Sequence, residues 1–179
     1  MKPCILYRLQ VELVDSEPLI WRQFHISAAA TLARLHAVVQ TVMGWSDSHP
    51  HRFVLPRAAD LHIELDDEQW PLWQVFAHGS HRLLYWYAPQ EGWLHRLTLA
   101  GYSRSVSPAP LCLGGECACP PEGSGGIWGY EDLLARLDDS HDPDYLEVWD
   151  RLGSDFNPDW FDLAAVNRQL KRNLQGQSR

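Results

Sequence analysis

The sequence predicts a single α+β domain, an antiparallel-rich mixed sheet covered by one helix from the N-terminal half and by helices from the C-terminal third. Three observations carry that prediction. Apolar and polar residues alternate at 5–13, and β-prone aromatic runs occupy 82–87 and 93–99. One run, 31–43, switches to helical spacing, and that spacing returns only near residue 130, so strands and helices are segregated along the chain. With 179 residues, 45% of them hydrophobic and nine of them Trp, the chain is large enough for one sizeable core and unlike a disordered sequence. The expected domain spans 1–179 as one unit.

Taken in order, Tyr7, Leu9, Val11 and Leu13 share one face of the first strand, and Arg8, Gln10 and Glu12 the other. Asp15-Ser16-Glu17-Pro18 supplies turn residues before a partner strand at 19–26, where Ile20, Phe24 and Ile26 face one way and Trp21, Gln23 and His25 the other. Leu32, Leu35, Val38, Val39, Val42 and Met43 then recur at helical spacing, with Thr31 as N-cap and Gly44 as the left-handed stop. Residues 52–56 and 61–65 read as short strands, and 70–80 as a helical turn or an irregular segment. The runs 82–87 and 93–99 flank the loop residues Ala88-Pro89-Gln90-Glu91-Gly92, a second hairpin. Segment 100–128, rich in Gly, Pro and Ser, reads as one long loop.

Three helices are expected to close the chain. The first carries Tyr130, Leu133, Leu134 and Leu137. The second opens with Asp142 as N-cap and Pro143 in the first helical position. The third opens with Asp162, staples Phe161 onto Val166, and continues its stripe through Leu170 and Leu174. A hairpin, a helix and further strands in that order are compatible with a β-grasp-like core.

Charge and patterning narrow the setting. Lys plus Arg number 15 against 23 Asp plus Glu, a formal net charge of −8, and such a surface repels phosphate backbones, which disfavours bulk nucleic acid as partner. The N-terminus alternates polar with apolar residues after Pro3, and no run is long and apolar enough to span a bilayer, so a cytoplasmic, membrane-free location is expected. The cysteines are few and unevenly spaced, which points to reduced thiols rather than a disulfide framework.

Chemistry concentrates in two places. Cys112, Cys117 and Cys119 lie within eight residues, ahead of Pro120 and Pro121. A structural zinc needs four Cys or His ligands, so this loop supplies three and the fourth would come from His95, His49, His51 or Cys4. The competing and favoured reading, with no cofactor, is a braced loop in which Cys112 and Cys119 face inward and the prolines restrict the chain. Glu116 beside Cys117 raises a thiol pKa and argues against redox catalysis. His49 and His51 stand two apart, which on a strand would place both on one side, as metal ligation or base catalysis requires; a polar turn with hydrogen-bonded rings is the alternative. The acidic C-terminal third, from Asp138 to Asp162, reads as helix caps and a solvated face, without the alternate ligands of a calcium loop.

Several motifs occur in order: Pro18-Leu19-Ile20-Trp21-Arg22, Thr31-Leu32 to Leu35-His36, Met43-Gly44-Trp45, then His49, His51 and Phe53. They are followed by Cys112 to Glu122, Gly125-Gly126, Gly129-Tyr130, Asp155-Phe156-Asn157-Pro158 and Phe161-Asp162. Together they resemble the plasmid pRiA4b ORF-3-like family over nearly the whole chain. Two positions depart from its pattern: Tyr87 to Trp93 lacks the first acidic residue of the family's Y-D-F-G-D-x-W segment, and Ser124 stands where a further Cys is frequent. The resemblance implies an α+β domain of plasmid and mobile-element contexts with no established activity. The expected function is a non-catalytic binding or interaction module for a protein or small ligand. Trp45, His49, His51, Phe53, Tyr87, Trp93, His95 and Tyr130 would form its recognition surface. The rival expectation is a metal-dependent enzyme or nuclease-like accessory protein using His49, His51 and nearby acids.

Overall fold

The computed structural model describes residues 3–56, 62–77, 80–153 and 155–176. Residue 61 of the expected strand 61–65, residues 78–79 of the segment 70–80 and the side chain of Leu174 lie outside the described residues. β1 (Cys4–Leu13) and β2 (Trp21–Ser27) form the first hairpin, and α1 (Leu32–Met43) crosses to β3 (His51–Pro56) and β4 (His62–Leu65). A one-turn α2 (Leu72–Val75) precedes β5 (Arg82–Tyr87), β6 (Trp93–Ser105) and β7 (Leu111–Glu116). The chain closes with α3 (Gly126–Asp138), α4 (Tyr145–Leu152) and α5 (Leu163–Gly176).

The strands make one seven-stranded sheet in the order β4-β3-β5-β6-β1-β2-β7. Every neighbouring pair is antiparallel, which corrects the expected mixed sheet: each strand is joined to its neighbours by hairpins or by connections that return in the opposite direction. Alternation decides the faces. Leu9, Val11, Leu13, Phe24, Ile26, Tyr85 and Leu97 are buried with Leu35, Val38, Val39 and Val42 of α1 in one core. On the opposite face Glu12 accepts from Gln10 at 2.8 Å and from Arg96 at 3.2 Å, so polar side chains there satisfy one another across strands.

Local chemistry sets the helix ends. The Thr31 hydroxyl accepts the Arg34 N–H at 3.3 Å, and Gly44 stops α1 in the left-handed conformation at φ 83°. Asp162 accepts the Ala165 N–H at 2.8 Å to open α5. α4 departs from expectation: its N-cap is Asp144, because Asp142 uses its carboxylate to hold the Asp144 N–H at 2.8 Å in a turn ahead of the helix. α3 likewise begins at Gly126, four residues before Tyr130.

The expected long loop at 100–128 contains two strand segments, 100–105 and 111–116. β6 runs to Ser105, and β7 pairs with β2 from Trp21↔Glu116 to His25↔Leu111. Glycine is required there: a Cβ on Gly115 would stand 2.6 Å from Cδ of Arg22. The outer edge of β7 is closed by a side chain, since Asn167 of α5 accepts the Cys112 N–H and donates to the Cys112 carbonyl, each at 2.9 Å. Among the described residues no helix is long and apolar enough to cross a membrane.

Candidate functional site

Arg22 lies on the inward face of β2 between Ile20, Phe24 and Ile26, only 2% exposed. Its guanidinium donates to the carbonyls of Val42 at 3.2 Å, Trp21 at 2.7 Å, Glu116 at 2.6 Å and Cys117 at 2.6 Å, and to Cys119 Sγ at 3.3 Å. The Phe161 ring lies 4.0 Å beneath it. A buried cation is tolerated when its donors are satisfied, and this fork matches backbone oxygens from α1, β2 and the turn after β7. The cysteine loop is therefore wrapped around an arginine.

That arrangement separates the thiols. Cys112 donates to the Gln23 carbonyl at 3.5 Å, while Cys119 touches Met43 Sδ at 3.6 Å. Burial pushes the Cys119 thiol up to about 11, and burial, with Asp159 and Glu116 nearby, also raises Cys117. Among the described residues no group of three close metal-ligating side chains includes a cysteine. The ligand set of Cys112, Cys117 and Cys119 is not assembled, because pairing of β7 with β2 turns Cys112 inward and Arg22 takes up Cys119.

Four of the expected surface residues, Trp45, Tyr87, Trp93 and His95, pack together inside the molecule, while Tyr130 packs on Phe156. Trp45 packs on Tyr87 at 5.0 Å, His95 at 5.0 Å and Trp93 at 5.8 Å between ring centroids. All four are buried, as are Phe53 and Tyr130, so they form core and not an exposed recognition surface. Polar tips are tied down: the Trp45 indole donates to the Pro120 carbonyl at 2.9 Å, and the Tyr87 hydroxyl donates to Glu122. Burial pushes the Glu122 carboxyl up, but bonds from Ser46, Tyr87 and Ser48 outweigh it and hold the group below its ordinary value. His95 Nδ1 faces the Tyr85 carbonyl at 3.2 Å, whereas its Nε2 finds no partner among the described residues. Burial holds the ring down to about 4.

His49 and His51 part company. His49 stands over the edge of Tyr87 with Glu91 at 4.0 Å. His51 stacks instead on His36 of α1, centroids 3.5 Å apart and planes 6° from parallel. His36 Nδ1 lies 2.8 Å from the Tyr85 hydroxyl and its Nε2 2.8 Å from Asp47; His51 Nε2 lies 2.5 Å from Asp67. Burial and the neighbouring His51 ring lower the His36 pKa against the opposing pull of Asp47. His36 occurs in the Leu35-His36 motif, but nothing in its spacing announces a contact with a residue fifteen positions later.

A cleft of about 610 Å³ opens beside β4 and α2. Leu55, Ile63, Leu65 and Val75 give it an apolar floor, Trp70 and Trp73 flank it, and Gln74 and Ser80 add amide and hydroxyl groups. The two indoles are 38% and 52% exposed, large apolar rings left facing solvent. This is the segment that the sequence reads only as a helical turn or irregular; two tryptophans three residues apart were its one signal.

The model of a family described as plasmid pRiA4b ORF-3-like protein matches residues 5–165. An uncharacterized protein, y4hQ of Sinorhizobium fredii, is 31% identical over 172 residues, covering 89% of this chain and 85% of that one. The crystal structure of MM3350, a protein of unknown function from Methanosarcina mazei Go1, superposes with a TM-score of 0.83 at 29% identity, covering 89% of this chain and 96% of that one. The fold is thus shared with a protein described as of unknown function.

Proposed function

The chain belongs to the plasmid pRiA4b ORF-3-like family, and from that premise we propose that it is a binding module, taking a small, uncharged apolar or aromatic molecule in the cleft beside β4 and α2. The observation that carries this reading is the cleft itself. At about 610 Å³ it falls within the range of small-ligand sites, which are concave, mainly apolar and supplied with a few polar groups for orientation. Trp70 and Trp73 offer rings for stacking, and Gln74 and Ser80 offer hydrogen bonds. The described lining side chains are apolar or uncharged polar groups, which suits an uncharged ligand. The net charge of −8 supports the same choice over nucleic acid.

The uncharged fluorescent probe Nile red tests the proposal. Saturable binding to the folded full chain is expected, weakened at least ~10-fold by Trp73→Ser through loss of a stacking face and its buried area. Absence of saturable binding, or an affinity unchanged by that substitution, rejects the cleft as the site.

A further inference from the structure

We propose that His36, Asp47 and His51, with Asp67 at the rim, bind one divalent transition-metal ion of the zinc type. The donor atoms of the first three residues lie within 4.8 Å of one another. Four separate segments deliver the set: His36 comes from α1, Asp47 from the turn after Gly44, His51 from the first position of β3, and Asp67 from the turn after β4. Two imidazoles and two carboxylates are ligands that zinc accepts, whereas calcium and magnesium prefer oxygen alone.

The surroundings hold these groups as an outer shell holds metal ligands. The Gln40 amide donates to the Tyr85 hydroxyl at 2.9 Å, and that hydroxyl meets His36 Nδ1 at 2.8 Å. The same amide's oxygen accepts the Asp47 N–H at 2.9 Å, so one side chain orients an imidazole through tyrosine and a carboxylate through its backbone. Asp47 adopts φ 60°, a left-handed conformation uncommon for a residue other than glycine, and it points its carboxylate at Nε2 of His36. Asp47 keeps 59% of its side chain exposed while His36 keeps 8%, so the site has a buried wall and an open mouth.

Proton balance is simple. Without metal, the Tyr85 O–H donates to Nδ1 and the Nε2–H of His36 donates to Asp47. On binding, that ring would give up its Nε2 proton to solvent, present the Nε2 lone pair to the cation and take a proton from solvent on Nδ1, which would donate to the Tyr85 oxygen as the hydroxyl hydrogen turns away, so the ring's proton count would not change. The two rings lie 6° from parallel, with donor atoms of His36, Asp47 and His51 within 4.8 Å of one another. Tetrahedral coordination converges them, so binding tilts the rings out of the stack.

The experiment uses the untagged full chain, stripped by chelator, titrated with Co²⁺ by visible absorption and then displaced with Zn²⁺. About one equivalent is expected, with the d–d bands of a four-coordinate nitrogen and oxygen site. Asp47→Asn and His51→Gln, both at accessible side chains, should each weaken binding at least ~10-fold, while His49→Gln leaves it unchanged. No saturable cobalt binding overturns the proposal, as does binding that survives both substitutions. A thiolate-to-cobalt charge-transfer band also overturns it, because that would place the ion on the cysteines.

Discussion

At the β7 end of the sheet the chain closes over a charge, whereas at the β4 end it leaves indole rings in water. Arg22 is 2% exposed and satisfied by backbone oxygens, while Trp73 is 52% exposed beside a cleft. Residue type alone predicts the reverse, since arginine is among the side chains least often buried. The difference teaches where each end spends its chemistry. Matched carbonyls around a guanidinium fix one geometry, whereas exposed apolar rings leave a surface open for contact.

The largest effect expected is at the closed end. Arg22→Ala should lower unfolding free energy by about 3–5 kcal/mol in denaturant titration, because it leaves several buried carbonyls without donors and a cavity above Phe161. A loss below about 1 kcal/mol would put both ends on the same footing.

A second, somewhat smaller effect reports on the interior between them. His95 titrates near 4 when folded against 6.5 for the free side chain, so the unfolded chain takes up the proton first as pH falls. Its contribution is whole above about pH 6.5 and drains away as pH falls toward about 4, a loss of about 3 kcal/mol. Unfolding curves measured across that window should slope accordingly, and the slope should flatten in His95→Leu. The smallest effect belongs to the open end: Trp73→Ser should change stability by no more than about 0.5 kcal/mol, and a large loss there would mean that the indole is structural after all.

What the sequence revealed follows the range of the interactions. The first hairpin and α1 were legible because their signals are local: period-2 alternation, the Thr31 cap and the Gly44 stop act within a few residues. Arg22 was not, although it occupies the inward phase between Ile20 and Phe24, because two of its acceptors lie 94 and 95 residues downstream. β7 was hidden for a related reason, since a glycine-rich segment becomes a strand only beside the free edge of β2. The aromatic cluster misled in another way. Trp45, Tyr87 and Trp93 have the composition of a recognition surface, and only tertiary packing shows that they face one another. The pairing of His51 with His36 instead of His49 has the same origin, because α1 brings its histidine over the start of β3.

The reach of Arg22 also sets a timetable. At ordinary rates of synthesis the carbonyl of Cys117 leaves the ribosome roughly 5–20 s after Arg22 does. Throughout that interval the nascent chain carries a β2 whose guanidinium is hydrated and whose Phe24 and Ile26 have no finished core to enter. The hairpin is thus made early and completed late: a chain halted before residue 111 already has β1 to β6 and α1, but lacks both the β7 partner of β2 and the Glu116 and Cys117 carbonyls that hold the guanidinium.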